Sequence, residues 1–255
     1  MDNNICTVLV TNNDFFDRLI QTLKDILTYE YVGDICVVIG DDLVNSDKLN
    51  HPLLKLNNNI IIKYFPDIIF TEEFNKKFNS ISRDDLWRRK KFQYHKLNLF
   101  NVFFKQWDYI FYMDVGMKVF CSIDPIIKAR KPGKFLAHSD AYPDYTYDLS
   151  IQFTNDDPLF EIISKKYNLH TDFPQTTIML YDTSIINANT FDDLVNLAEE
   201  CMISRTNDQG IIALYFTVIK KLWEQIQLEN ESNWFYDYNL RPNKTNKPHI
   251  MLKNV

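Results

Sequence analysis

Three apolar runs near the start of the chain, Ile5–Val10, Ile35–Ile39 and Ile60–Tyr64, each stop abruptly at a turn. The stops are Thr11-Asn12-Asn13-Asp14, Gly40-Asp41-Asp42 and Pro66. Runs this short and this apolar read as strands buried on both faces. Between the first two, Phe15, Leu19, Ile20, Leu23 and Ile26-Leu27 recur at helical spacing, with Asn13 or Asp14 as the expected cap. A strand, a helix and a second buried strand predict a parallel sheet joined by right-handed crossovers. Further along, Asp84–Lys105 has a helical pattern, Tyr109–Met113 and Met117–Phe120 read as strands, and so do Lys134–Ala137, Thr177–Tyr181 and His249–Leu252. Phe191–Met202 and Asp208–Ile219 read as helices. The expected fold is a single α/β domain over 1–255, an α/β/α sandwich around a mixed, mostly parallel sheet. No repeat and no Pro/Gly/Ser linker divides it.

Glycine scarcity limits the chemistry. The 255 residues hold only five glycines, Gly33, Gly40, Gly116, Gly133 and Gly210, too far apart for G-x-G-x-x-G or a Walker loop. A nucleotide bound here must therefore have its diphosphate neutralised by something other than a glycine-rich backbone cradle, and a metal ion is the obvious substitute. The net charge of −6 argues against nucleic acid as the main partner. Cys6, Cys36, Cys121 and Cys201 never form C-x-x-C, so they read as reduced, mostly buried thiols. No basic stretch leads into an apolar segment at the N-terminus, and no run approaches the roughly 18 apolar residues of a membrane helix. A cytoplasmic chain without a membrane span is expected. Its richness in Asn, Ile, Lys, Tyr and Phe suggests an AT-rich genome, such as that of a microbe or large virus.

One segment carries the clearest chemistry. Phe111-Tyr112-Met113-Asp114-Val115-Gly116 brings an aspartate to the carboxyl end of a buried strand. Ligands bind at that edge of open α/β sheets. A carboxylate there suits a hard divalent ion, Mn²⁺ or Mg²⁺, and the same residue could equally be a turn former. Arg88, Arg89, Lys90, Lys91 and Lys96 form the densest basic cluster. Arg89, Phe92 and Lys96 share one face at helical spacing, so Arg89 or Lys96 could meet a diphosphate. Trp234, Phe235, Tyr236 and Tyr238 form an aromatic patch that reads mainly as core, with one ring available to stack on a sugar.

The order of these segments resembles the glycogenin-like (family 8-like) glycosyltransferases of the GT-A fold, over residues 8 to 250. Val10-Thr11-Asn12-Asn13-Asp14-Phe15 resembles the family's first-strand motif, Lys96-Leu97 its K-L, and Asp114-Val115-Gly116 its D-x-D. Gln175-Thr176-Thr177-Ile178-Met179 resembles N-x-G-V-M, Asn207-Asp208-Gln209-Gly210 contains its D-Q-G, and Tyr238-Asn239-Leu240-Arg241-Pro242 resembles Y-N-x-x-P. His249 stands where the family has a metal-binding histidine. The resemblance implies retaining transfer of a hexose from a nucleotide-sugar, with UDP-sugar first, to a carbohydrate or glycoprotein acceptor. It implies donor contacts from Thr11, Asn12, Asn13, Arg89, Lys96, Asp114 and Val115, and a metal at Asp114, Gly116 and His249. Asp140, Gln175, Asp208 and Gln209 would surround the reacting sugar. Two departures stand out: the second D-x-D acid is Gly116, and the N-x-G triplet is Gln175-Thr176-Thr177. A catalytically impaired binding protein is the main alternative. Aspartyl phosphatases need an acid at 116, and nucleotidyltransferases need a glycine-rich first turn, so neither class fits as well.

Overall fold

The computed structural model describes residues 4–226 apart from 30, 32, 57–58, 82–90 and 143–144, together with the backbone of 236–237 and 250–252. Its centre is a seven-stranded sheet. In chain order the strands are β1 (Ile5–Thr11), β2 (Asp34–Ile39), β3 (Ile60–Tyr64), β4 (Tyr109–Met113), β6 (Phe135–Ser139), β7 (Pro174–Asp182) and β8 (Trp223–Gln225). Their spatial order is β3-β2-β1-β4-β7-β6-β8. β3, β2, β1 and β4 are parallel; β7 runs against both β4 and β6, and β8 is parallel to β6. The sheet is thus mixed and mostly parallel. β5 (Met117–Val119) leaves it to pair with β10 (Ile250–Leu252), which pairs in turn with β9 (Tyr236–Asp237).

The apolar runs of β1, β2 and β4 form strands because both faces of the sheet are covered there. Ile60–Tyr64, expected to be buried as well, is instead the edge strand β3, with Ile62 and Tyr64 exposed because nothing pairs with its outer side and its faces are only partly covered. Alternation sends Cys6, Val8, Val10, Ile110 and Tyr112 to one core and Leu9, Val37, Phe111 and Met113 to the other. The first core is aromatic: Phe70 stacks on Phe74 with centroids 4.0 Å apart, and Phe135 on Phe216 at 4.5 Å. The second is aliphatic and is closed by α1 (Phe16–Thr28), which buries Leu19, Leu23 and Ile26. Each large side chain so buried contributes roughly 1.5–3 kcal/mol. Six further helices complete the layers among the described residues: α2 (Pro52–Lys55), α3 (Glu72–Ser80), α4 (Asp124–Lys128), α5 (Pro158–Lys166), α6 (Thr190–Glu200) and α7 (Asp208–Ala213). None is long and apolar enough to cross a membrane.

Three local expectations are corrected. The cap before the first helix is Asn12, whose Oδ1 accepts from Phe15 N at 3.2 Å, and not Asn13 or Asp14. A short 3₁₀ turn, Asn13–Phe15, intervenes before α1, and this moves the cap back along the chain. The helix expected over Asp84–Lys105 is, in its described part, two 3₁₀ runs, Lys91–Phe100 and Val102–Gln106, split at Asn101. Asn101 caps the second run through Phe103 N. The tighter 3₁₀ turn lets six residues of Lys91–Phe100 be buried, including Tyr94, His95, Leu97 and Phe100. The helix expected over Asp208–Ile219 is α7 followed by a π turn, Leu214–Ile219.

Candidate functional site

β1, β2, β3 and β4 all point the same way, so their carboxyl ends share one edge. That edge collects Asn12 and Asn13 after β1, Asp41 and Asp42 after β2, Asp67 after β3 and Asp114 after β4. β7 is antiparallel, and therefore brings its first residues, Pro174–Thr177, to the same edge: Asp114 N donates to Thr177 O at 2.8 Å.

At the middle of this edge lies a three-residue ion cluster. Lys96 Nζ is 3.0 Å from Asp114 Oδ1 and 3.0 Å from Asp208 Oδ2. The ammonium also lies 5.2 Å from the centroid of the Tyr112 ring, and the Tyr112 hydroxyl donates to Asp114 Oδ1. Thr176 Oγ1 donates to Asp208 Oδ2 at 3.5 Å. The Asp208 side chain is only 5% exposed, against 35% for Asp114, so the cluster has a buried end and an open end. Burial pushes the Asp208 carboxyl above the usual range, against the pull of Lys96. Burial alone would lower the Lys96 pKa, but Asp114 and Asp208 outweigh it and hold the ammonium firmly charged. Asp208 stands at the first position of α7, and its carboxylate is turned to Lys96. The preceding Asn207 takes φ +56°, uncommon for a non-glycine, and donates through its side-chain amide to Gln93 Oε1. That backbone reversal aims α7 at the edge.

The other expected site residues are distributed around this cluster. Thr11 is buried at the end of β1. Asn13 is exposed; its N–H donates to Asp42 Oδ2 at 3.0 Å and its carbonyl accepts from Lys48 Nζ at 3.0 Å. Val115 packs against the aliphatic core. Gln175 is buried, with Oε1 accepting from Thr177 N at 2.6 Å. Gln209 turns to Gln152, 3.3 Å away. Asp140 follows β6, on the same edge because β6 also opposes β7; its N–H donates to Phe173 O at 3.0 Å. Gly116 has φ +92°, and its N–H donates to Thr22 Oγ1 at 2.9 Å. Arg88, Arg89, Lys90, His249, Trp234, Phe235 and Tyr238–Pro242 lie outside the described residues.

Two neighbours of the cluster are absent from the sequence expectations. Tyr112 had a readable signal, since it is two residues before Asp114 on a strand and must share its face. Arg18, whose stem packs on Gly116, had none: the contact joins α1 to a turn far along the chain.

No protein-family profile and no curated protein sequence matches this chain. Solved structures do. The galactosyltransferase LgtC, bound to donor and acceptor sugar analogues, is similar at TM-score 0.64 and 11% identity, over 97% of this chain and 86% of LgtC. Core-mannan synthase A from Aspergillus fumigatus, in an Mn/GDP form, is similar at TM-score 0.55 and 11% identity, over 87% of this chain and 72% of its own. Mouse xyloside xylosyltransferase 1 is similar at 0.54 and 12%, over 100% and 98%. At such identities the likeness establishes the fold, which is that of the GT-A glycosyltransferases.

Proposed function

We propose that the chain is a nucleotide-sugar glycosyltransferase of the glycogenin-like kind, moving a hexose from a UDP-sugar to a carbohydrate or glycoprotein acceptor with retention. The observation that carries this reading is the junction of Asp114, Lys96 and Asp208 at the carboxyl edge of a GT-A-like sheet. Those three residues come from three motifs far apart in the sequence. Thr11, Asn12 and Asn13 would take the nucleoside, Asp114 and Val115 the diphosphate, and Asp140, Gln175, Asp208 and Gln209 the sugar. Arg89 and His249 remain donor-site candidates on the sequence alone.

The residues fit a divalent ion carried in on the substrate. Asp114 Oδ1 is engaged by Lys96 and Tyr112, while Oδ2 has neither as a partner. Mg²⁺ commonly uses one or two carboxylates plus substrate phosphates, and Mn²⁺ also accepts imidazole. Asp114 would hold such an ion, with His249 as second ligand and only a backbone carbonyl from Gly116. When bound, it supplies Lewis-acid neutralisation of the departing diphosphate. The chain's own part is preorganisation. Lys96 fixes both carboxylates, so Asp114 faces the diphosphate and Asp208 the sugar without rearrangement as charge develops. Thr176 holds the Asp208 carboxylate from the β7 side.

Thermal melting against UDP, GDP and CMP, with and without Mn²⁺, tests the reading. A nucleotide at 100 times its Kd adds about 2.7 kcal/mol, roughly 5–10 °C for a domain of this size. We expect a shift with one nucleotide that Mn²⁺ enlarges, and loss of the Mn²⁺-dependent part in Asp114→Ala with the fold retained. No shift with any nucleotide sinks the donor site. A shift without release of nucleotide from its sugar favours the binding-protein alternative, for which Gly116 is the observation.

A further inference from the structure

Gly116 stands where the D-x-D pattern calls for an acid, and the structure gives that position a different use. Its φ of +92° is one that residues with a Cβ rarely adopt. The turn is pinned to α1, because Thr22 Oγ1 accepts from Gly116 N at 2.9 Å and donates to Met117 O at 3.1 Å. A Cβ at 116 would lie 3.2 Å from Arg18 Cδ, 3.8 Å from its Cβ and 3.9 Å from its Cγ. The space of the missing carboxylate is thus taken by the stem of an arginine. Beyond that stem, the Arg18 guanidinium carbon lies 5.1 Å from the centroid of the Phe15 ring. Phe15 belongs to the turn that Asn12 caps. Arg18 therefore spans the gap between the expected nucleoside turn and the Asp114 turn.

From this arrangement, and resting on the donor-site reading above, we propose that Arg18 binds the diphosphate of the nucleotide. Charge supports the assignment. Lys96 neutralises one of the two carboxylates it touches, and Asp41, Asp42 and Asp67 lie along the same edge, so the edge is acidic and would repel a diphosphate without further cations. Arg18 is a cation whose stem lies against the turn that follows Asp114. A guanidinium is always charged and matches phosphate oxygens in pairs, and this one is half-buried, so its charge is less screened than on an open surface. Replacing an acid by glycine and packing an arginine over it changes what attracts the ligand. A cation belonging to the protein takes over part of the work of an ion recruited from solution. Diphosphate affinity should accordingly survive chelation of metals.

The test is calorimetric titration in EDTA of wild type, Arg18→Met and Arg18→Lys with UDP and GDP, and with uridine and guanosine. Methionine keeps a stem against Gly116 and removes the guanidinium. Wild type should bind one diphosphate more tightly than its nucleoside. Arg18→Met should lose roughly tenfold or more of that diphosphate affinity, as for one charged hydrogen bond, with nucleoside affinity unchanged. Arg18→Lys should recover part of the loss. Equal diphosphate affinity in wild type and Arg18→Met, or an equal loss for diphosphate and nucleoside, overturns the assignment. A second measurement needs no variant: pyrophosphate in EDTA should protect Arg18 of the wild type from phenylglyoxal, read by mass spectrometry. Modification at an undiminished rate refutes the proposal. If wild type binds neither diphosphate even with Mn²⁺, the donor-site reading falls and this inference with it.

Discussion

Lys96 lies 3.0 Å from each of two carboxylates, one nearly enclosed and one half open. Such a cluster is finely balanced, since removing one member strands another charge in a poorly solvated place. Lys96→Met should destabilise the fold by about 3 kcal/mol, the low end for a broken buried pair because water reaches Asp114. Adding Asp208→Asn should restore most of it, and urea denaturation of both variants measures the difference. A double variant as weak as the sum of its parts would mean that Asp208 is not what Lys96 holds. His95, the preceding residue, gives a separate signal. It is buried, stacked on Phe92 at 4.8 Å, with Nε2 3.2 Å from Ile39 O. Burial lowers its pKa below the ordinary 6.5, although Asp67 pulls the other way. Below pH 6.5 the unfolded chain takes up a proton that the folded chain refuses. The stability from His95 is therefore complete above that value and is lost as pH falls through the folded pKa. Wild type should melt lower at pH 5.5 than at pH 7.5, and His95→Phe should flatten that difference. The motif order in the sequence already named Asp114, Lys96 and Asp208. It did not reveal that all three touch, since spacing along a chain carries no distance between elements.

At the level of single elements, the strands were legible and the segment before β4 was not. A run such as Tyr109–Met113, buried at every position, has few alternatives to a central strand. Lys91–Phe100 alternates apolar and polar residues in a way that satisfies α and 3₁₀ winding alike, and packing against the aromatic core decides between them. The turn after β4 carries a demand that no motif spells out. The glycine at 116 departs from the D-x-D pattern, and its backbone conformation and its bond to Thr22 belong to the turn itself. Gly116→Asp should consequently cost about 1–3 kcal/mol in thermal unfolding, from the strained φ and the displaced Arg18 stem. It should add no metal affinity. An unaltered melting temperature with tighter Mn²⁺ binding would mean that the turn can relax into a D-x-D.

Across the whole molecule, seven strands enclose two cores of different character, and the candidate site sits where their ends converge. Three strands of the parallel half, β1 to β3, could be anticipated from the first 64 residues; the position of β7 could not, because it depends on a pairing with β4 that no local pattern encodes. That pairing has a consequence during synthesis. When the ribosome has delivered Met113, β4 can already dock beside β1, but its other edge has no partner until Pro174–Asp182 emerges. A nascent chain stalled in that interval displays an apolar strand with an open side, the kind of template on which chains associate. Its safe passage depends on how quickly the intervening segment is translated, or on a chaperone that covers the gap.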